Sequence, residues 1–280
     1  MKISGFTIVR NAVKLHYPVL ESIRSILPIC DEFIVSVGDS EDATLDLIKS
    51  LDSPKIKIIQ TKWDLSLGQT VLSEETNKAL KHCSGDWAFY LQTDEVIHEL
   101  DLQRLKDCMQ RYLHQPEIDA LRFKWLHFYG SHWRYRIDAG WYQKQDRIIR
   151  NNGQIRSWGD AYAFERVDGK PLRSANTGCF LYHYGWVFSE EVMAKRRLNQ
   201  GMIWSVDRDH EKKTGRYEFG DLKRFPIYFG PHPATMKELI GAHPISLQDW
   251  DEITRQHWWN PLRWLRLRYK TGKRIKERID

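Results

Sequence analysis

The sequence predicts an α/β fold built on a mostly parallel, doubly wound sheet. Three observations carry that prediction. Apolar runs of strand length alternate with amphipathic stretches of helix length through the first hundred residues. Several of those runs are rich in Val and Ile, as strands covered on both faces are. Polar residues then gather where three of the strands finish, and such sheets bind ligands at the carboxyl ends of their strands.

In chain order, residues 3–9 read as a strand. Residues 15–27 read as a helix stopped by Pro28, and 32–38 as a second strand. Residues 43–51 form a short helix with Ser40 or Asp42 as its cap. A strand at 55–61, a helix at 70–83 and a strand at 86–92 complete a βαβαβαβ order, which implies a parallel sheet. A helix over 101–113 follows, ended near Pro116. The pattern then changes: an aromatic strand at 120–129, a hairpin over 147–155 turning at Asn-Asn-Gly, an apolar strand at 180–186 and a helix at 190–204. The expected organisation is a nucleotide-binding half (1–115), an acceptor-side half of the same unit (116–254) and a basic amphipathic tail (255–280).

Composition narrows the function. With 280 residues and 41% hydrophobic content, the chain can bury a sizeable core. It holds 12 Trp, and so many large rings imply that some line a groove. No apolar run is long enough to cross a membrane, and the short N-terminal one is interrupted at Arg10 and Asn11, so a cytoplasmic location is expected. Cys30, Cys83, Cys108 and Cys179 show no Cys-x-x-Cys spacing and are expected to be reduced thiols. Residues 255–280 hold nine Lys/Arg against two Asp/Glu, a net of +7. That leaves 34 basic and 35 acidic residues elsewhere, a net of −1. The body is therefore not expected to bind nucleic acid.

The first strand ends Val9-Arg10-Asn11, the second Gly38-Asp39-Ser40 and the fourth Gln92-Thr93-Asp94-Glu95. There is no Gly-x-Gly-x-x-Gly and no Gly-x4-Gly-Lys-Ser/Thr, which disfavours dinucleotide oxidoreductases and P-loop nucleotidases. Phosphates would then be neutralised by a divalent cation on carboxylates, Mg²⁺ or Mn²⁺. Asp94-Glu95 is the candidate metal pair; otherwise the two acids cap the next helix. Asp39 is either a turn residue or an acceptor for the base or ribose of a nucleotide.

Ile-Val-Arg-Asn-Ala at 8–12, Asp-Glu-Phe-Ile-Val-Ser-Val-Gly-Asp at 31–39 and Gly-Asp-Trp-Ala-Phe-Tyr-Leu-Gln-Thr-Asp-Glu at 85–95 resemble the nucleotide-binding half of family 2 glycosyltransferases. More loosely, His183-Tyr-Gly-Trp and Lys195 resemble the C-terminal His and basic helix of bacterial polysaccharide and lipopolysaccharide-core members. The resemblance implies a GT-A fold, a nucleotide-diphosphate sugar donor, a glycan or lipid-linked acceptor such as a bacterial surface glycan, and inverting transfer. It implies that Asp94, with Glu95 and His183, holds the metal. Val9, Arg10, Asn11, Asp39, Gln92, Thr93 and Lys195 would then bind the donor. Gln92 departs from the family, which carries an Asp there. It can accept a ribose hydrogen bond but adds no charge, so a catalytically silent nucleotide-sugar-binding homologue is the rival reading. A sugar nucleotidyltransferase is a third, disfavoured by the lack of a Gly-rich basic loop after the first strand.

His183 is read either as a satisfied core residue or as a ligand to the metal or diphosphate. Among Lys195, Arg196 and Arg197, either all face solvent or one neutralises the leaving diphosphate, and Lys195 matches the family best. Asp160 is either a turn residue after Gly159 or a general base standing between Trp158 and Tyr162, where rings could stack on a sugar; Glu165 and Asp138 are weaker candidates for the base. Arg147 and Arg150 are expected on one strand face, against phosphate or water. The segment 257–280 is either a basic helix for an anionic membrane surface or a terminal helix packed on the body.

Overall fold

The computed structural model describes residues 1–138 and 140–242; the basic tail expected over 255–280, and its membrane contact through 257–280, lie outside the described residues. Strand β1 (Ile3–Val9) leads through helix α1 (Val19–Ile26) to β2 (Glu32–Gly38), then α2 (Thr44–Lys49), β3 (Ile56–Thr61), α3 (Thr70–Leu80) and β4 (Trp87–Tyr90). All pairings among these strands are parallel, in the spatial order β3-β2-β1-β4. Every residue of β1, β2 and β4 is buried, because helices cover both sheet faces. Helix α1 begins later than its apolar pattern: Pro18 disfavours helical backbone at Tyr17, and Asn11 and His16 adopt positive φ in the turns before it.

The remaining elements are β5 (Glu95–Ile97), α4 (Leu102–Tyr112), β6 (Ala120–Tyr129), β7 (Tyr135–Arg136), β8 (Lys144–Arg150), β9 (Ile155–Trp158), β10 (Ala163–Arg166), β11 (Ser174–Trp186), α5 (Glu190–Trp204), α6 (Asp209–Thr214) and α7 (Lys237–Gly241). They continue the same sheet, in the order β4-β8-β6-β11-β5 with β7 beside β6. Beyond β4 the pairings are antiparallel apart from β6 with β11, so the sheet is mixed. The hairpin expected over 147–155 does not form. β9 pairs with β10 in a separate two-stranded sheet, and Asn151 instead anchors the connection by donating from Nδ2 to the carbonyls of Cys83 and Gly85.

One apolar core lies under α1 and α4, around Ile23, Phe33, Trp87, Phe89, Leu105 and Leu181; a second lies under α3, around Phe6, Val71, Tyr90 and Phe164. A third, dominated by aromatics such as Phe128, Tyr129 and Tyr184, closes the far ends of β6 and β11. The four cysteines are free and buried. Among the described residues no helix is long and apolar enough to cross a membrane.

At the amino ends of the parallel strands, away from the site, buried Glu32 ties three segments together. Its Oε1 accepts from Ser4 Oγ at 2.6 Å and from Ser84 N and Oγ at 2.7 Å each, and its Oε2 accepts from Lys57 Nζ at 2.6 Å. Burial alone would raise its pKa, but these hydrogen bonds outweigh it and hold the carboxyl at about 2. A carboxylate depressed in the folded state stabilises above its unfolded pKa and loses that contribution as pH falls toward the folded one. Glu32→Gln should therefore cost about 1–3 kcal/mol at pH 7 in thermal or urea denaturation. The gap between variant and parent should narrow between about pH 4.5 and pH 2. A pH-independent gap would show that the charge of Glu32 is not what holds these strands.

Candidate active site

The carboxyl ends of β1 and β4, the end of β11 and one side of α5 enclose a cavity of about 390 Å³. Its wall includes Val9, Arg10, Gln92, Thr93, Asp94, Asp160 and His183, so residues scattered over 175 positions of sequence meet in one place. Trp63, Trp125, Trp141, Tyr142, Tyr162, Arg196 and Gln200 complete much of it. Trp63 Nε1, Trp125 Nε1 and Gln200 Oε1 are buried there without a protein partner. A cavity presenting orphaned donors and an acceptor suits a polar ligand that satisfies them.

The turn carrying Asp94 is held by its neighbour. Glu95 is wholly buried and receives a two-pronged hydrogen bond from Arg147, Nε to Oε2 and NH2 to Oε1, both at 2.8 Å. Oε2 also accepts from the Gln92 amide at 3.1 Å. Both oxygens are thus committed, so Glu95 is not available as the metal ligand that the sequence suggested. Arg147 reaches further, from NH1 to the Tyr162 carbonyl at 2.9 Å. It is the extra residue of a β-bulge: Ile148 opposes Leu121 and Asp146 opposes Arg122, leaving Arg147 unpaired in the ladder. The bulge re-aims its side chain inward. Arg150, expected on the same face, instead donates to the carbonyls of Tyr112, Leu113, Gln115 and Ile118. Neither arginine is free for phosphate.

His183 lies beside Glu95 on β5 and His127 on β6, both in register with it. His127 Nε2 is 2.7 Å from the Tyr142 carbonyl, so it carries the proton, and its Nδ1 is an acceptor. His183 Nδ1 lies 3.0 Å from that acceptor and must donate to it. His183 Nε2 is left with a bare lone pair, 3.7 Å from Asp94 Oδ2. Burial keeps both rings neutral: His127 is pushed down to about 3, and His183 to about 4 even though the Glu95 carboxylate beside it favours the charged form. Trp125 stacks on His183 at 5.4 Å, with planes 3° apart. Burial raises the pKa of Asp94, as expected for a carboxylate lacking a close cation.

These two groups fit a divalent cation. Two ligands at about 2.1 Å from a shared ion lie up to about 4 Å apart, which accommodates the Asp94–His183 separation. The space between them is kept open by Gly185: a Cβ there would lie 2.7 Å from both Asp94 Oδ2 and His183 Nε2. Among the described residues no group of three or more protein ligands is present, so remaining positions would fall to the donor's phosphates and water.

The other expected residues divide. Asp160 lines the cavity, and burial raises its carboxyl pKa. Gln92 donates from Nε2 to the Ala161 carbonyl at 3.3 Å, bracing the Asp94 turn against the Asp160 loop. Asp39 is exposed and does not line the cavity, but it touches two residues that do, accepting from Trp63 N at 3.1 Å and lying 3.4 Å from Arg10 Nε. Asn11 is buried and does not line the cavity: its Oδ1 accepts from Glu41 N at 2.7 Å, stapling the loops after β1 and β2. Glu165 pairs with Arg156 on the small sheet and exposed Asp138 with Arg136, both outside the cavity wall. Lys195 is exposed, and the neighbouring Arg196 faces inward instead. Arg196 donates to the carbonyls of Leu15, His16 and Gly185 at 2.6–2.8 Å and lies over the Tyr17 and Phe188 rings. Sequence reasoning weighed Arg196 beside Lys195 but preferred Lys195, and it passed over His127 and Gly185; the His within a strand rich in aromatics was the available signal for His127.

The buried pair predicts a specific stability pattern. Glu95→Ala should cost about 3–5 kcal/mol, because it leaves Arg147 charged and unpaired. The double variant Glu95→Leu/Arg147→Met should recover most of that loss in thermal denaturation while remaining impaired in ligand binding. Equal destabilisation of both proteins would contradict this account.

Glycosyl transferase family 2 matches the chain over residues 6–170. No curated protein matches the sequence. Among solved structures, S. aureus TarS is similar with a TM-score of 0.43 and 17% identity, over 72% of this chain and 39% of that one. TarS 1–349 in complex with UDP-GlcNAc gives 0.41 and 18%, over 76% and 69%. Glucosyl-3-phosphoglycerate synthase from Mycobacterium tuberculosis, in complex with Mn²⁺, UDP-glucose and phosphoglyceric acid, gives 0.32 and 18%, over 44% of each chain. The chain thus spans well under half of full TarS. The family match takes in more than half of the chain, including β1 to β4, the Asp94 turn and Asp160; the chain belongs to glycosyl transferase family 2.

Proposed function

We propose that this enzyme transfers a sugar, with inversion, from a nucleotide-diphosphate donor to a hydroxyl of a glycan or lipid-linked acceptor. The observation carrying the reading is the bare Nε2 of His183 facing Asp94 across the gap left by Gly185, in the cavity that also holds Asp160. Asp94 and His183 would hold Mg²⁺ or Mn²⁺ on the diphosphate. A bound ion would supply positive charge to the leaving group. Arg196 lies on this wall with its N–H groups held by three backbone carbonyls, so it would stabilise the leaving diphosphate through its charge, in place of Lys195, and not by a direct hydrogen bond from Nε. Asp39, Arg10 and Trp63, beyond the ends of β1 and β2, would hold the nucleoside. Asp160, with its pKa raised by burial, would accept the proton of the attacking hydroxyl.

Each role has its own signature. Calorimetry with UDP, GDP, ADP and CDP, with and without Mn²⁺, should find one nucleotide whose binding tightens with metal. Asp94→Asn and Gly185→Ala should remove that metal-dependent part. His127→Ala should weaken Mn²⁺ affinity about 10–100-fold by releasing the tautomer of His183. Metal-dependent binding that survives Asp94→Asn in a folded protein would remove Asp94 from the site.

Asp160→Asn should leave nucleotide binding intact and slow transfer by about 10²–10⁴-fold. Near-normal transfer in that variant would exclude Asp160 as the base. A protein that binds donor with metal but turns over neither by transfer nor by hydrolysis would instead be the silent homologue suggested by Gln92.

A further inference from the structure

We infer that the acceptor is an uncharged saccharide of at least two units, read by an aromatic ladder that climbs out of the cavity past Asp160. The inference rests on the transferase reading above and adds the acceptor's chemistry and minimum length to it.

The ladder starts at the metal position and ends in solvent. Trp125, stacked on His183, meets Tyr142 edge-on at 5.9 Å. Tyr142 stacks on Tyr162 at 5.1 Å with planes 12° apart, and Trp158 tilts against Tyr162 at 5.1 Å. The inner rings belong to the cavity wall, whereas Trp158 stands outside it. Tyr142 is 50% exposed and Trp158 41% exposed, so two large rings offer surface to water on the path away from Asp160. Core packing would hide them. A ring face carries partial negative charge and attracts the polarised C–H face of a sugar, which makes such rings platforms for saccharides.

The ladder is rigid. Gly159 and Ala161 take positive φ, folding residues 158–162 back so that Trp158 reaches Tyr162. A Cβ on Gly159 would lie 3.0 Å from the Tyr162 ring. Ser73 Oγ donates to the Gly159 carbonyl at 2.9 Å and Arg147 to that of Tyr162. Such pinned, strained loops are found where a ligand must be met by a preformed surface.

Charge argues against an anionic acceptor. The described arginines on the cavity wall are Arg10 and Arg196, both on the donor side, and no lysine joins them. On the ladder's side Arg147 is saturated by Glu95, Arg136 is held by Asp138 and Arg156 by Glu165. Asp160 itself would repel a phosphate or carboxylate. Two ring steps separate Tyr142 from Trp158, which places one sugar beside Asp160 and the next over Trp158.

The test is calorimetry on the full chain with Mn²⁺ and its nucleoside diphosphate. Titrants are mono-, di- and trisaccharides of glucose, galactose, mannose and N-acetylglucosamine, with glycerol phosphate and 3-phosphoglycerate as the anionic arm. At least one neutral series should tighten about tenfold from one unit to two. Trp158→Ala should abolish that gain while leaving monosaccharide and nucleotide affinity unchanged, and Trp158→Phe should keep part of it. The inference is overturned, with the transferase reading intact, if nucleotide binds but no neutral saccharide does. Tighter binding of a phosphorylated titrant, or a length gain that survives Trp158→Ala, overturns it equally. Failure of every nucleoside diphosphate to bind would instead overturn the donor pocket, and this inference with it.

Discussion

The site depends on one buried ion pair. Glu95 and Arg147 are both fully excluded from solvent, where an isolated charge would cost several kcal/mol. A pair of well-packed apolar residues could fill that volume at no loss of stability, so net stability does not explain the pair. Its geometry does. Arg147 joins three pieces of backbone that are distant in sequence: the turn after β4 through Glu95, its own strand β8, and the 158–162 loop through the Tyr162 carbonyl. The rings of Tyr90 and Trp125 flank the guanidinium at 5.6 and 5.1 Å, which holds it in place. The carboxylate assigned to the metal and the one assigned to the acceptor are therefore positioned by a single side chain.

From that clamp outward the site is arranged by departures from regular pairing. The bulge at Arg147 turns its side chain inward. A second irregularity, between His183 and Trp186, gives β11 one more residue than β6 over the same stretch. It falls at Tyr184 and Gly185, where the Tyr184 amide donates to the Asp94 carbonyl at 2.8 Å. Bulges are local twists that re-aim side chains at the edge of a ladder, and both here serve the same pocket. The chain from Tyr142 through His127 to His183 then fixes which nitrogen faces Asp94 without any charge on either ring. Neutral imidazole is the form that can coordinate, and burial enforces it.

Much of this was legible in the sequence, and what was not has identifiable causes. The alternation through residue 92 specified the parallel half because each element keeps its own period and each strand ends in polar residues. Asp94, His183, Gln92 and Asp160 do meet in one cavity: the first three because strands of one sheet bring them together, and Asp160 because its loop between β9 and β10 is tied back by Gln92 and Arg147. Glu95, one residue from Asp94, points elsewhere because it opens β5 and Arg147 holds both of its oxygens in the interior, whereas Asp94 belongs to the turn before the strand. Arg196 and Lys195 exchange roles for the analogous helical reason: one residue step is a rotation of about 100°, enough to exchange a buried face for a solvated one. Arg147 was expected to face phosphate or water, and its inward turn onto Glu95, like the role of Gly185, was invisible because a bulge has no periodic signature. The turn at 151–153 was recognised, but its partner strand was not, since pairing there is decided by Asn151 bonding to residues 83 and 85.

Gln92 can be understood in the same terms. In this turn Glu95 is neutralised by Arg147, so Asp94 is the carboxylate left without a close cation. An Asp at position 92 would add a second negative charge beside it. In a site of low effective dielectric two like charges raise each other's pKa and weaken the ionised state. It would also lack a donor. Gln92 has one, and its Nε2 reaches the Ala161 carbonyl, so the Asp94 turn is braced against the Asp160 loop. Ser22 Oγ holds the Gln92 carbonyl from the opposite side at 3.0 Å. The replacement therefore exchanges a charge for a strut. With Arg147 crossing the same gap deeper in the protein, the two loops are joined at two levels. A ligand entering between them meets walls whose spacing is already set.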